Sequence, residues 1–361
     1  MMFLLAGLVI VVAACGRNEE EPIPVEPEEE VVVEPEIEEP EVEIILPERL
    51  ERENNLTGLP TLSEEAEGKR PVAVMVSNVR ANMPQHGISQ ADLIFEIPIE
   101  GGATRLMAVF GDYTAIPTII PTRSARLYFG AFALGFDAFY AHWSNTPQIT
   151  ETLTNWLGED RFDGGFNTGG VFGRDQGRIN AGFALEHTAY FDGPGFPGAI
   201  SRLDLRTDLS EEHQGAVFLF NDYLKPVSPE GESITTAHVN FSGTTADFTY
   251  DEDTSLFTKD FNGTPHVDGD TGEPLAFTNL LLLETEITVN YFGHNDFNWG
   301  GGEMSTGYYV SNGAAQPITW AKDEGRDEGR LRFFDLEGNE IWINRGKTYI
   351  AVTHLGGVTF D

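Results

Sequence analysis

Cysteine is almost absent. Cys15 is the only one in 361 residues. A disulfide within the chain is therefore excluded, and so is a cysteine-ligated zinc site. Histidine is scarce as well. The eight imidazoles are scattered, and none stands in the HxH or HExxH spacing that brings two of them to one metal ion. No metal and no cofactor are expected. Positive charge is short: 22 Lys and Arg face 58 Asp and Glu, for a net charge of -36. That balance argues against non-specific nucleic-acid binding, which needs a basic face. Lysine is missing altogether between Lys69 and Lys225, so every basic residue from Arg70 to Arg206 is arginine. The apolar run from Phe3 to Val12 is too short for a spanning helix, which needs about 20 apolar residues.

That apolar run ends in Val12-Ala13-Ala14-Cys15. Small residues directly before a cysteine, after a short apolar segment, resemble a bacterial lipoprotein signal. The resemblance implies a signal peptide over 1–14 and lipidation, palmitate included, on Cys15. The start departs from the usual pattern, because Met1-Met2-Phe3 carries no Lys or Arg. From Glu19 to Glu53 the chain is mostly Glu, Pro, Val and Ile, with Arg49 and Arg52 as its only bases. Such a segment buries too little apolar surface to offset its ordering entropy. Residues 15–54 therefore read as an acidic, disordered, Pro/Glu-rich tether, extended by proline and charge repulsion. A lipid on Cys15 places the protein at the cell membrane, on its extracytoplasmic face.

The remainder reads as α+β. Pro71–Val76, Ala91–Ile97 and Arg105–Phe110 are apolar strand patterns, and Glu100-Gly101-Gly102 is a turn between antiparallel partners. Leu127–Leu134 has helical spacing, and Ala138–Trp143 reads as a strand. Thr146–Leu157 is a helix with Thr146 as its cap and Pro147 at its first position. After Arg161 the chain turns glycine-rich and loop-like, with His187 read as part of a strand and a helix around Ile200–Leu205. From His238 onwards short alternating runs are separated by turn signals. The expected layout is a mixed α/β domain with a central sheet over 55–210, a connector over 211–232 and a β-rich domain over 233–361. Asp268–Glu273 reads as a turn rather than a calcium loop, because the DxDxDG core is missing. Gly300–Gly302 reads as a flexible loop tip.

The Pro71–Val76 strand, Gln90-Ala91-Asp92, Glu100–Arg105 and Thr122-Arg123-Ser124-Ala125-Arg126 resemble the YerB-like bacterial lipoproteins. In the second half Asn262-Gly263, His266-Val267-Asp268, Thr271-Gly272-Glu273, Asn279 and Gly346-Lys347-Thr348 carry the same resemblance. It covers nearly all of the chain from Asn55 onwards. It implies a two-part domain of unknown function linked in a general way with the cell envelope, and no defined reaction. The chain departs at Pro121-Thr122-Arg123, where a Gly-Pro-Val-Arg-like run is expected. It departs again at His142-Trp143-Ser144-Asn145, where small residues are expected.

The arginine-only stretch is the chemical signal. Lysine would supply charge equally well; arginine adds a planar fork that binds carboxylate or phosphate through two bonds. Arg105, Arg123, Arg126, Arg174 and Arg178 fall in loops or at element ends, and with Ser124 they form a candidate anion-binding set. The competing reading is that these arginines pair with the chain's own acids. Glu100, His142 and His187 are the candidate acid–base groups. No GxSxG or SxxK frame surrounds Ser124, so it reads as a hydrogen-bonding neighbour and not a nucleophile. The expected function is binding of an anionic cell-wall polymer or an envelope partner protein. The alternative is a wall-directed hydrolase or transferase built on Glu100 and His187 beside the arginines.

Overall fold

Three apolar, β-branched runs found the fold. Val72–Asn78 (β1), Leu93–Pro98 (β2) and Thr104–Phe110 (β3) are strands buried along their whole length. They form an antiparallel trio, with Gly101 and Gly102 taking positive φ in the β2–β3 turn. In this computed structural model residues 49–361, apart from Tyr223, are described. Cys15, the signal segment and the tether up to residue 48 lie outside them. Residues 49–54, expected in the tether, belong to the fold. Glu53 is buried, accepts a hydrogen bond from Leu50 N at 3.0 Å and pairs with Arg345 at 2.7 Å.

Helices carry the chain across the sheet next. Leu127–Leu134 (α1) leads to Phe139–His142 (β4), and Pro147–Leu157 (α2) leads to Arg161–Asp163 (β5). β4 lies parallel to β1, and β5 parallel to β4. In α2, Ile149, Leu153 and Leu157 recur every four residues and are buried. α1 buries almost its whole circumference. A Cβ on Gly130 would stand 2.4 Å from Leu153 Cδ2, so glycine sets how closely the two helices approach. Pro147 stands in the first turn of α2 as expected, but Thr146 makes no side-chain cap; its hydroxyl is buried without a partner. The glycine-rich part holds more structure than its composition suggests. It contains Gln176–Asn180 (α3), and its strands Phe172–Arg174 and Ala189–Asp192 form a small sheet with Thr118–Ile119 from upstream. The helix expected near Ile200 runs earlier, over Phe196–Leu203 (α4), because Pro197 favours its first turn and Asp204 ends it at φ 55°.

The second half contributes Thr236–Asn240 (β6), Thr245–Asp251 (β7) and Leu256–Phe261 (β8). These are followed by Asn279–Thr285 (β9), Gly301–Ser311 (β10), Ala314–Lys322 (β11), Leu331–Phe334 (β12), Thr348–His354 (β13) and Val358–Phe360 (β14). The large sheet runs β12-β11-β10-β9-β13-β2-β3-β1-β4-β5, and a smaller one contains β8-β7-β6-β14. Gly301 and Gly302, expected at a loop tip, open β10. The two halves share the large sheet through β2 and β13, parallel, with Leu93 opposite Thr348 and Glu96 opposite Ala351.

Strand alternation splits the core in two. Val72, Val74 and Val76 face one layer with Phe248, Phe277 and Tyr349. Ala73 and Met75 face the other, with Phe129, Phe132 and Leu153 from the helices. Between the halves lies a buried polar network. Glu96 accepts hydrogen bonds from Asn78 Nδ2 (2.8 Å), Thr104 Oγ1 (2.7 Å) and Tyr349 OH (2.8 Å), and pairs with Lys259 Nζ at 3.1 Å. Lys259 also donates to His266 Nδ1, whose Nε2 donates to Gln85 Oε1. Burial first, then Lys259, keeps the His266 imidazole neutral, well below its ordinary range. Asp268 accepts from Gly87 N and from Ser89 N (2.7 Å), so the expected turn pins a loop of the first half.

Breaking the Glu96–Lys259 pair leaves a buried charge uncompensated. Lys259→Met should lower stability by about 3–5 kcal/mol, and Glu96→Gln/Lys259→Met should recover much of that loss. Urea denaturation measures both. Equal midpoints for wild type and Lys259→Met would show that the pair carries no stability.

Candidate functional site

The Pro121–Arg126 segment fills a gap between two parallel strands. β1 and β4 pair only over Val72–Val74 and Phe139–Ala141. Beyond that point the segment enters. Ser77 N donates to Pro121 O, Arg123 N to Met75 O, Trp143 N to Arg123 O and Ala125 N to Ser144 O, all between 2.9 and 3.3 Å. The segment therefore sits at the carboxyl ends of β1 and β4, next to β5 and the start of α2. In α/β sheets that end is where ligands bind.

Arg123 is held from two sides. Its Nε donates to Ser77 Oγ at 3.1 Å and its Nη2 to His187 Nδ1 at 3.1 Å. A guanidinium can only donate, so His187 Nδ1 is the acceptor and the imidazole is neutral. Burial and then Arg123 move the His187 pKa below its ordinary value. His187 stands in the single turn Leu185–His187, just before the strand Ala189–Asp192 rather than within it. Arg174 lies with Cζ 4.2 Å over the Trp143 ring and donates to Leu185 O. A Cβ on Gly164 would stand 2.6 Å from that ring, so glycine makes room for it. Neither guanidinium has a carboxylate within ion-pair distance among the described residues. Burial and Arg174 lower the Arg123 pKa while exposed Glu186 pulls it up, so the three groups share one neighbourhood.

The other expected residues take different places. Arg178 is buried and donates to Asn82 O, Pro84 O and His187 O, stapling three loop carbonyls behind the patch. Arg105 is buried, and its Nη1 donates to Ser124 O at 2.6 Å. Burial first, then Arg126, brings its pKa down to about 10. Arg105 thus fixes the segment from beneath, and Ser124 serves through its carbonyl. Arg126 is bound by the chain's own acid: its Nε lies 3.1 Å from Glu100 Oε1. Burial alone would raise Glu100, but the Arg126 bonds hold it below the usual glutamate value. Glu100 and His187 therefore answer to different arginines and share no partner. His142 is fully buried, with Nδ1 3.3 Å from Ser144 O and Nε2 3.4 Å from Arg161 Nη1.

Asp163 and Arg161 are the residues that sequence reasoning passed over. Asp163 accepts from Ser144 N and Gly165 N, both at 2.8 Å, and from Arg161 Nη1 at 3.0 Å. It shapes the loop that presents Trp143. The Asp163-Gly164-Gly165 run was its only local signal.

A mixed sheet with α1 and α2 over one face and α4 over the other, an arginine patch where its parallel strands end and a β-rich second half define a two-part α+β protein. Two family models cover most of it: the N-terminal domain of a protein of unknown function, DUF3048, over residues 56–206, and the C-terminal domain of the same family over residues 237–350. The chain belongs to this family, which bears out the resemblance read from its motifs. It is 28% identical over 296 residues to the Bacillus subtilis (strain 168) protein named Putative lipoprotein YerB, covering 80% of this chain and 84% of that one. Its fold matches a crystal structure of the YerB protein from Bacillus subtilis with a TM-score of 0.70 at 24% identity, over 85% of this chain and 98% of that one. No helix among the described residues is long and apolar enough to cross a membrane.

Burial, partly countered by Asp163, lowers His142 from 6.5 to about 4. Between those values the unfolded chain binds the proton and the folded chain does not. Stability from this group is therefore complete above about pH 6.5 and falls as the pH drops towards 4. Urea midpoints should decline over that interval, less steeply for His142→Gln. An identical slope in the variant would remove His142 from the pH dependence.

Proposed function

We propose that this chain is an extracytoplasmic lipoprotein, anchored through lipid on Cys15, whose Arg123–Arg174 patch binds an anionic ligand of the cell envelope. The observation that carries the reading is two neighbouring arginine forks with no carboxylate within ion-pair distance among the described residues, in a chain with 58 acidic side chains. Internal partners are plentiful, and Arg126 takes one. Arg123 and Arg174 instead rest on neutral supports: a hydroxyl, an imidazole, a carbonyl and an indole face. Those supports orient the forks without neutralising them, which is the preorganisation an incoming carboxylate or phosphate needs. The anchor is supported by the signal pattern at Val12–Cys15 and by the name of the Bacillus relative. The ligand class that fits is a wall polymer or an envelope protein segment bearing phosphate or carboxylate groups.

Retention on purified, anionic cell-wall material tests this. Each shielded arginine–anion contact is worth about 1.5–3 kcal/mol. Arg123→Ala/Arg174→Ala should therefore weaken binding by at least about tenfold, and added salt should weaken the wild type. Arg126→Ala should leave retention unchanged, because that arginine already has Glu100. Equal retention of wild type and Arg123→Ala/Arg174→Ala sinks the assignment.

A further inference from the structure

A second concave surface lies beside Arg126. The first turns of α1 and α2 and the loop 290–296 enclose a cleft of about 270 Å³. The loop joins the short antiparallel strands Thr288–Val289 and Asn295–Asp296, and its tip carries Tyr291, 96% exposed, and Phe292, 55% exposed. Their ring centroids are 5.5 Å apart and nearly perpendicular. Two aromatic rings in water at the rim of a cleft mark a recognition surface.

The polar lining narrows the ligand. The side-chain amides of Gln148 and Asn295 line the cleft and make no hydrogen bond with any described residue. An amide offers donors and an acceptor together, the same combination a sugar hydroxyl presents. Charge is already balanced at the cleft floor. Arg126 is bound by Glu100, whose Oε1 also accepts from Asn295 N at 3.1 Å, so the loop is tied to the β2–β3 turn. An anion would meet a neutralised arginine and the carboxylate of Asp296. A neutral, hydroxyl-rich ligand meets free amides and exposed ring faces.

We propose that this cleft binds a neutral oligosaccharide, with the Tyr291 and Phe292 rings against the C–H faces of the sugars and the Gln148 and Asn295 amides on their hydroxyls. The site shares no residue with the Arg123–Arg174 patch and stands independently of it. Titration calorimetry of the full-length chain with soluble tetramers of β-linked N-acetylglucosamine and of β-linked glucose tests the proposal. Saturable binding of at least one tetramer is expected. Tyr291→Ala/Phe292→Ala should weaken it about tenfold. Gln148→Ala should weaken it less, and Arg123→Ala/Arg174→Ala should leave it unchanged. These side chains are at the surface, so an unchanged thermal melt shows that the variants are folded. Absence of binding by both tetramers, or wild-type affinity in Tyr291→Ala/Phe292→Ala, overturns the proposal. So does adsorption to phosphatidylcholine vesicles that the same double variant abolishes while neither tetramer binds, because the tip is then a lipid contact.

Discussion

The buried Glu96–Lys259 pair is the interaction on which the rest of the fold depends. Two charges at 3.1 Å with no water access are tolerable only if every remaining bonding site is filled. Glu96 fills its sites from β1, β3 and β13; Lys259 brings β8 to it and passes the contact on to His266 and Gln85. An apolar pair would supply comparable burial but would accept many registers. A charged pair with four hydrogen-bond partners accepts one. The network therefore specifies how β2 lies against β13, and with it how the two halves join. It also reaches the surface. Gln85 donates to Ser77 O, and the Ser77 hydroxyl accepts from Arg123. The orientation of the half-buried Arg123 fork is built on the buried pair.

A second constraint is geometric. The Pro121–Arg126 segment inserts as an extended strand-like piece, with Thr122 bridged to Val76 and Arg126 itself extended. Residues three apart on an extended chain point to opposite sides. Arg123 and Arg126 therefore cannot share a ligand, close as they are in sequence. One side meets Ser77 and His187. The other meets Glu100, delivered by the β2–β3 turn. The same spacing on a helix would have placed both arginines on one face and made a single site. Arg105 makes the division rigid by holding the carbonyl of Ser124 between them.

These facts explain what could be read from the sequence and what could not. The strands of the first half were legible because both of their faces are buried. Val72–Val76 is apolar at every position, and Leu93–Ile97 is apolar but for Glu96. The β2–β3 turn was legible because Gly101 and Gly102 need positive φ. The choice of arginine over lysine was legible as residue type, but what each arginine binds was not. Pairing was not legible. Arg126 and Glu100 are 26 positions apart, and Glu96 and Lys259 are 163 apart, so no local pattern links either pair. His142 looked like an acid–base group because residue type says nothing of depth. His187 looked like a strand residue because its single helical turn follows from the carbonyls that Arg178 and Arg174 collect around it.

The anion site proposed for so acidic a chain needs an electrostatic justification. At physiological salt the Debye length is about 8 Å, so exposed carboxylates farther away are largely screened. What an approaching anion meets is then set by the nearest groups. At the patch these are two arginines, a neutral imidazole and an indole, with Glu186 the opposing charge. Glu186 is exposed and its influence is diluted by water, whereas Arg123 is partly shielded. Shielding strengthens a direct Arg–anion bond more than it strengthens distant repulsion. The excess negative charge of the rest of the chain therefore acts on selectivity. It opposes partners that would lay further negative charge along the acidic surface, so a wall polymer or protein segment would bind through the one anionic group it presents at the patch. It leaves room for a ligand whose negative group is local, one phosphate or carboxylate seated on two oriented forks.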